Sequence, residues 1–179
     1  ALELKRVKGV NYKVGVFTNL SLDHLDFHQT IGNYARAKAK LLNMCEKGIV
    51  NIDDSYAKEM VDGADCDIYT YGIEGNADFK GENIQISSQG VNFDLVMKDR
   101  IFPVFMPIPG KFSVYNALAA IATTYVMGLN IESIIQSLAD VPGVPGRVQS
   151  IQSTKGFSVI VDYAHTPDGL TNILETVKE

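Results

Sequence analysis

Four short segments of the chain carry residue types that do chemistry. In the first, 18–28, two acids (Asp23 and Asp26), two histidines (His24 and His28) and Asn19 crowd one loop. Histidines four apart have a metal-ligand spacing, yet the loop lacks the helix and glutamate of a zinc protease. The same residues would serve equally well as polar capping groups at a helix entry. In the second, Tyr34-Ala35-Arg36-Ala37-Lys38-Ala39-Lys40, helical spacing puts Lys38 one turn beyond Tyr34 and close to the buried face. A lysine there ordinarily snorkels outward.

The third segment, Pro109-Gly110-Lys111-Phe112-Ser113-Val114-Tyr115-Asn116, is a Gly-led helix start. Its unpaired amides and positive dipole suit a nucleotide, and the amide of Asn116 offers both donor and acceptor to an adenine edge. A plain helix N-terminus would look the same. The fourth combines Pro145-Gly146-Arg147 with Asp162-Tyr163-Ala164-His165-Thr166-Pro167-Asp168. An arginine fixed behind Pro-Gly clamps phosphate bidentately, and Asp162 at a strand end would accept from ribose hydroxyls. The plainer readings are a surface salt bridge for Arg147 and a cap on the last helix for Asp162. No G-x-x-x-x-G-K-[ST] phosphate loop occurs anywhere in the chain.

These segments need elements to hold them. A buried strand is expected over 14–20, then a polar loop, then a helix capped by Thr30. The apolar face of that helix reads Ile31, Tyr34, Ala37, Leu41, Leu42 and Cys45, with Gly48 as its stop. Strands over 49–52 and 66–71 flank a helix opened by Asp53-Asp54-Ser55, giving the βαβ pattern of parallel neighbours. Over 77–105 three turn-linked strands read as an inserted antiparallel meander. Helices over 113–127 and 131–139, a hairpin over 148–163 and a helix begun by Thr166-Pro167 complete the chain. The expected fold is therefore α/β, a mixed and mostly parallel sheet flanked by helices, with a small three-stranded β-meander inserted.

Composition narrows the function. With 46% hydrophobic and 21% charged residues, 179 residues suffice for one domain with a proper core. A net charge of −5 without a basic stripe argues against a nucleic-acid surface. No apolar run reaches membrane-spanning length, and Cys45 and Cys66 read as buried free thiols of a reducing compartment. We expect a cytoplasmic protein, monomeric and without membrane contact. The absent initiator Met, and a last helix that stops without a C-cap glycine, suggest a designed fragment.

In order and spacing, Phe17-Thr18-Asn19-Leu20-Ser21-x-Asp23-His24-Leu25-Asp26-x-His28, Tyr34-x-x-Ala37-Lys38-x-x-Leu41, Val144-Pro145-Gly146-Arg147 and Asp162-Tyr163-Ala164-His165-Thr166-Pro167-Asp168 resemble the Mur ligases. The closest resemblance is to those that add the third amino acid to the peptidoglycan precursor, and it runs over nearly the whole chain. It implies that ATP activates a carboxylate as an acyl phosphate, and that an amine then displaces phosphate to form an amide. Mg2+ and fixed cations stabilise the transferred phosphoryl group in such chemistry.

By that resemblance His24 ligates magnesium, and Lys38 is the family's carbamylated lysine, offering the ion an anionic oxygen. Asn116 contacts adenine, Arg147 the ATP phosphates, Asp162 the ribose and Arg6 the UDP-muramoyl-peptide. One departure is Ser113, which stands where the family often has the first Asn of Asn-x-x-Asn. The implied substrates are UDP-N-acetylmuramoyl-L-alanyl-D-glutamate and either meso-diaminopimelate or L-lysine. The family's upstream phosphate loop and its amino-acid-selecting C-terminal domain have no counterpart in 1–179. The resemblance thus implies a central-domain fragment that folds without catalysing ligation. Alternatives are a cyanophycin synthetase or folylpolyglutamate synthetase of the same superfamily and, from another class, a catalytically dead binding homologue. Retention of His24, Lys38, Arg147 and Asp162 together speaks against the last.

Overall fold

The computed structural model describes residues 2–21, 25–153, 155 and 157–178. Its centre is a six-stranded sheet whose spatial order follows the chain. β1 (Tyr12–Phe17), β2 (Cys45–Asn51) and β3 (Asp67–Gly72) pair in parallel. β4 (Phe79–Ser87) joins β3 in parallel through Tyr71–Phe79 and Gly72–Lys80, then turns back antiparallel into β5 (Gly90–Met97) and β6 (Arg100–Met106). The expected meander thus continues the parallel strands edge to edge. A bulge in β4 falls between Glu82 and Gln85, where Asn83 takes a positive φ of 52°.

Two apolar cores lie on opposite faces of the parallel half, because successive strand residues point to opposite sides. On β2, Ile49 faces the core shared with α4 (Lys111–Val126) and α5 (Ile131–Ala139), while Val50 faces α2 (Ile31–Ala39) and α3 (Ala57–Val61). Both are fully enclosed. Leu118 and Ile121 of α4 are enclosed as well, and burial of each contributes about 1.5–3 kcal/mol before the cost of ordering. This helix and the three-layer stack fix where the strand ends of β1 and β2 point. No helix among the described residues is long and apolar enough to cross a membrane.

The first crossover differs from expectation. Its helix runs only over Ile31–Ala39, followed by a single 3-10 turn at Leu42–Met44, and Cys45 already opens β2. Leu41, Leu42 and Cys45 therefore pack the joint between helix and strand and do not prolong the helix. Gly48 stops nothing; it sits within β2, where a Cβ would lie 2.7 Å from Ile68 Cδ1 and 2.9 Å from Leu42 Cδ2. A glycine is what this close approach demands. Thr30 does cap α2, its hydroxyl accepting from Asn33 N at 3.2 Å. Cys45 and Cys66 are free thiols but only half-buried, with their sulfurs 3.8 Å apart. Burial, reinforced by Cys66, pushes the Cys45 thiol up to about 11.

Beyond α5, β7 (Gln149–Gln152) and β8 (Ser158–Val161) form an antiparallel hairpin, and α6 (Pro167–Lys178) follows. Thr166 caps α6 by accepting from Gly169 N at 3.2 Å, with Pro167 in the first turn as its fixed φ favours. α6 lies against the start of α4. A Cβ on Gly110 would sit 2.6 Å from Thr176 Oγ1.

Candidate functional site

At the carboxyl end of β1 the chain leaves the sheet, and three neighbours hold it there. Asn51, buried at the end of β2, donates from Nδ2 to Thr18 O at 2.9 Å. Leu20 N donates to Asp54 Oδ2 at 2.9 Å, and Tyr71 Oη reaches Phe17 O at 3.4 Å. Lys38, half-buried on α2, extends its ammonium back to Asn19 O at 3.1 Å and lies 5.1 Å from the Tyr34 ring centre. Tyr34 in turn stacks on His28, with centroids 4.7 Å apart. The structure thus joins the first and second chemical segments through Lys38 and Asn19. His24 lies outside the described residues. Arg6 is exposed in the turn-rich segment before β1, which Lys40 ties to the end of α2 by pairing with Glu3 at 2.5 Å.

No three His, Cys, Asp or Glu side chains converge as a metal-binding group among the described residues. What the Lys38 cluster offers is the backbone oxygen of Asn19. Oxygen suits magnesium, which also draws ligands from substrate phosphates and water.

The third and fourth segments meet in a cavity of about 570 Å³. Asn116 enters it from the second turn of α4, Arg147 from the Pro-Gly loop, and Asp162 and His165 from the strand-to-helix turn after β8. Ile108, Phe112, Val144 and Ile173 supply apolar wall. A cavity of this size, largely apolar with a few convergent polar groups, fits a small organic ligand such as a nucleotide.

Arg147 is exposed, and its guanidinium lies 4.8 Å over the Tyr163 ring, without an ion pair among the described residues. Its planar fork has the geometry that grips phosphate or carboxylate oxygens two at a time. Asp162 does not cap α6, which Thr166 does. It accepts from Val148 N at 2.8 Å and Ala164 N at 2.7 Å, so it clasps the Arg147 loop to the end of β8. Val148 takes a φ of 43°, a costly conformation for a β-branched residue, which that clasp helps to hold. Ser113 is wholly buried and donates to Pro109 O at 3.0 Å, closing the first turn of α4.

One residue of this region was hidden in the sequence. Asp53 reads as a helix opener, but its carboxylate accepts from Ile73 N at 2.6 Å, Glu74 N at 3.1 Å and Gly75 N at 3.0 Å, and from Tyr115 Oη at 3.0 Å. Burial alone would raise its pKa, yet the three amides and the hydroxyl together hold the carboxyl below the usual aspartate range. The Tyr115 hydroxyl is pushed well up, by burial first and then by the Asp53 charge. The only local signal was the pair of glycines, Gly72 and Gly75, in the turn that receives it.

Comparison with known proteins decides the family. The family model for the Mur ligase middle domain matches residues 1–124. The chain belongs to the Mur ligases. Among curated Mur ligases, the UDP-N-acetylmuramoyl-L-alanyl-D-glutamate–2,6-diaminopimelate ligase of Clostridium botulinum (strain ATCC 19397 / Type A) is 44% identical over 181 aligned residues. That of Lactiplantibacillus plantarum is 42% identical over 189. Both alignments take in 100% of this chain and 38% of the relative. A solved diaminopimelate-adding Mur ligase superposes with a TM-score of 0.84 at 34% identity, covering 99% of this chain and 38% of that one. The MurF ligase of Thermotoga maritima, solved in complex with ADP, shares the fold at a TM-score of 0.82 and 19% identity.

Proposed function

We propose that this chain is the ATP-handling part of a ligase that joins meso-diaminopimelate to UDP-N-acetylmuramoyl-L-alanyl-D-glutamate in peptidoglycan synthesis. The observation that carries the proposal is the convergence of Asn116, Arg147 and Asp162, from three separate segments, on one cavity. The names of the relatives above favour diaminopimelate over L-lysine as the added residue. The chain spans 38% of those relatives, so the reaction belongs to the longer protein.

In the proposed reaction, the substrate's terminal carboxylate oxygen attacks the γ-phosphorus of ATP, releasing ADP and leaving an acyl phosphate. The amine then attacks the acyl carbon, the C–O bond to phosphate breaks, and the amine loses a proton as the amide forms. Arg147 would hold phosphate oxygens with its planar donors, Asn116 the adenine edge and Asp162 a ribose hydroxyl with its remaining lone pairs. Lys38 as a carbamate, with His24, would hold magnesium, and Arg6 would meet the muramoyl-peptide. Magnesium in such a site neutralises charge on the transferred phosphoryl group.

The test is to incubate the full-length protein with ATP, Mg2+, UDP-N-acetylmuramoyl-L-alanyl-D-glutamate and either amino acid. Formation of the UDP-muramoyl-tripeptide with meso-diaminopimelate is expected, with Arg147→Ala raising the KM for ATP. Product formed only with another acceptor, or no ATP turnover at all, would refute it.

A further inference from the structure

α4 begins without a side-chain cap. Its N-cap is Gly110, at a φ of 97°, which has no side chain to cap with, and the Ser113 hydroxyl that closes the first turn on Pro109 O ties the helix only to the residues just before it. The exposed Lys111–Glu74 contact, at 3.4 Å, is too long and too wet to fix a helix end. Yet this is the helix start from which Phe112, Ser113 and Asn116 enter the cavity. Something else must set its position to the fraction of an ångström that a bound ligand requires.

The adjacent residue does so. Tyr115 points away from the cavity, into the end of the sheet, and donates to Asp53 Oδ2 at 3.0 Å. Asp53 is itself fixed at the end of β2, because its own amide donates to the buried Asn51 Oδ1 at 3.1 Å. The turn after β3 then wraps its carboxylate with three successive amides, Ile73, Glu74 and Gly75. Gly72 makes room for it: a Cβ there would lie 2.8–2.9 Å from the carboxyl atoms. A charged acceptor with four donors is a rigid anchor, since each bond to a charged group is stronger than a neutral one.

We infer that Asp53 is a positioning residue for the nucleotide, seating the start of α4 through Tyr115 so that Asn116 meets the cavity in register. The inference rests on the reading of the cavity as a nucleotide site. Asp53 itself does not line the cavity. Its neighbour Asp54 faces the other way, holding Leu20 N and Tyr56 N. Two successive acids thus tend two different parts of the molecule.

The test uses the full-length ligase with ATP and UDP-muramoyl-dipeptide varied separately. Asp53→Asn keeps the shape, loses the charge and places a donor against donors. It is expected to raise the KM for ATP about tenfold, on the scale of one charge-assisted hydrogen bond, with kcat and the KM for the dipeptide within about twofold. Tyr115→Phe removes only the hydroxyl and should raise the KM for ATP about threefold, the size of a modest hydrogen bond. An unchanged KM for ATP in either folded variant overturns the inference, as does a loss of kcat with both KM values rising together. If Asp53→Asn does not fold, Tyr115→Phe decides alone. Asn116→Ala separates the two levels: an unchanged KM for ATP there overturns the nucleotide reading itself. A raised value there with unaffected Asp53→Asn and Tyr115→Phe overturns only the role of Asp53.

Discussion

The end of β1 and the Arg147 cavity solve the same problem, that of holding polar groups ready, in opposite ways. At β1, partners from β2, the turn after it, β3 and α2 reach backbone groups of the strand end and the loop that follows, and two of them, Asn51 and Tyr71, are buried. The cavity is assembled from α4, a Pro-Gly loop and α6, which meet late in the sequence, and its outer parts are open. Ile151, Val159 and Val161 of the hairpin and Leu170, Leu174 and Val177 of α6 are all exposed. The first arrangement gives a rigid site whose residues are neighbours through the sheet. The second gives a site whose geometry depends on a few clasps, chiefly Asp162 and Asp53.

Lys38→Ala should separate chemistry from stability most sharply. In the full-length protein we expect ligation to fall more than about a hundredfold, the scale of losing one group that stabilises transition-state charge, with short carboxylic acids restoring part of it. Thermal unfolding of the same variant should move little, because the bond from the ammonium to Asn19 O is exposed to water. Near-native turnover without added acid would dissolve the distinction between the two regions.

Gly48→Val probes the rigid side. Its branched carbons would meet Ile68 and Leu42 at distances no side chain tolerates, so about 2 kcal/mol of stability should be lost by urea unfolding. Asp162→Ala probes the clasped side. We expect about 1 kcal/mol locally, read as roughly fivefold faster hydrogen exchange at the Val148 and Ala164 amides, with β1 and β2 unchanged. Exchange rising throughout the sheet instead would mean that the two regions are one cooperative unit. Smallest of all, Lys13→Ala breaks an exposed pair with Glu46 at 2.6 Å and should change stability by less than about 0.5 kcal/mol.

Much of this was legible in the sequence, for identifiable reasons. The meander and α5 carry turn residues at their ends and clear periodicity, and α5 runs over the residues expected. The end of α2 was not legible, because Leu41, Leu42 and Cys45 fall at helical spacing while serving a helix-to-strand joint. Gly48 misled for a related reason: a glycine required by its neighbours reads locally as a breaker. At the cavity, motif order pointed to Asn116, Arg147 and Asp162, and the structure gathers them. That Asp162 clasps Val148, or that Asp53 meets Tyr115, depends on partners far along the chain, and no local pattern records them.

The strand order has a consequence for how the molecule is made. Each strand from β2 to β6 pairs with the one synthesised just before it, so a chain emerging from the ribosome would find its sheet partner already waiting at the growing edge. The layer of α2 and α3, with Ala35 and Met60 over Phe17 and Val50, is complete early. The opposite face is different, since Ile49, Tyr71, Phe79 and Leu95 stay uncovered until α4 has been translated through Val126. Nascent chains arrested between β6 and the end of α4 should therefore present a broad apolar sheet face, and bind holdase chaperones more strongly than chains either shorter or longer.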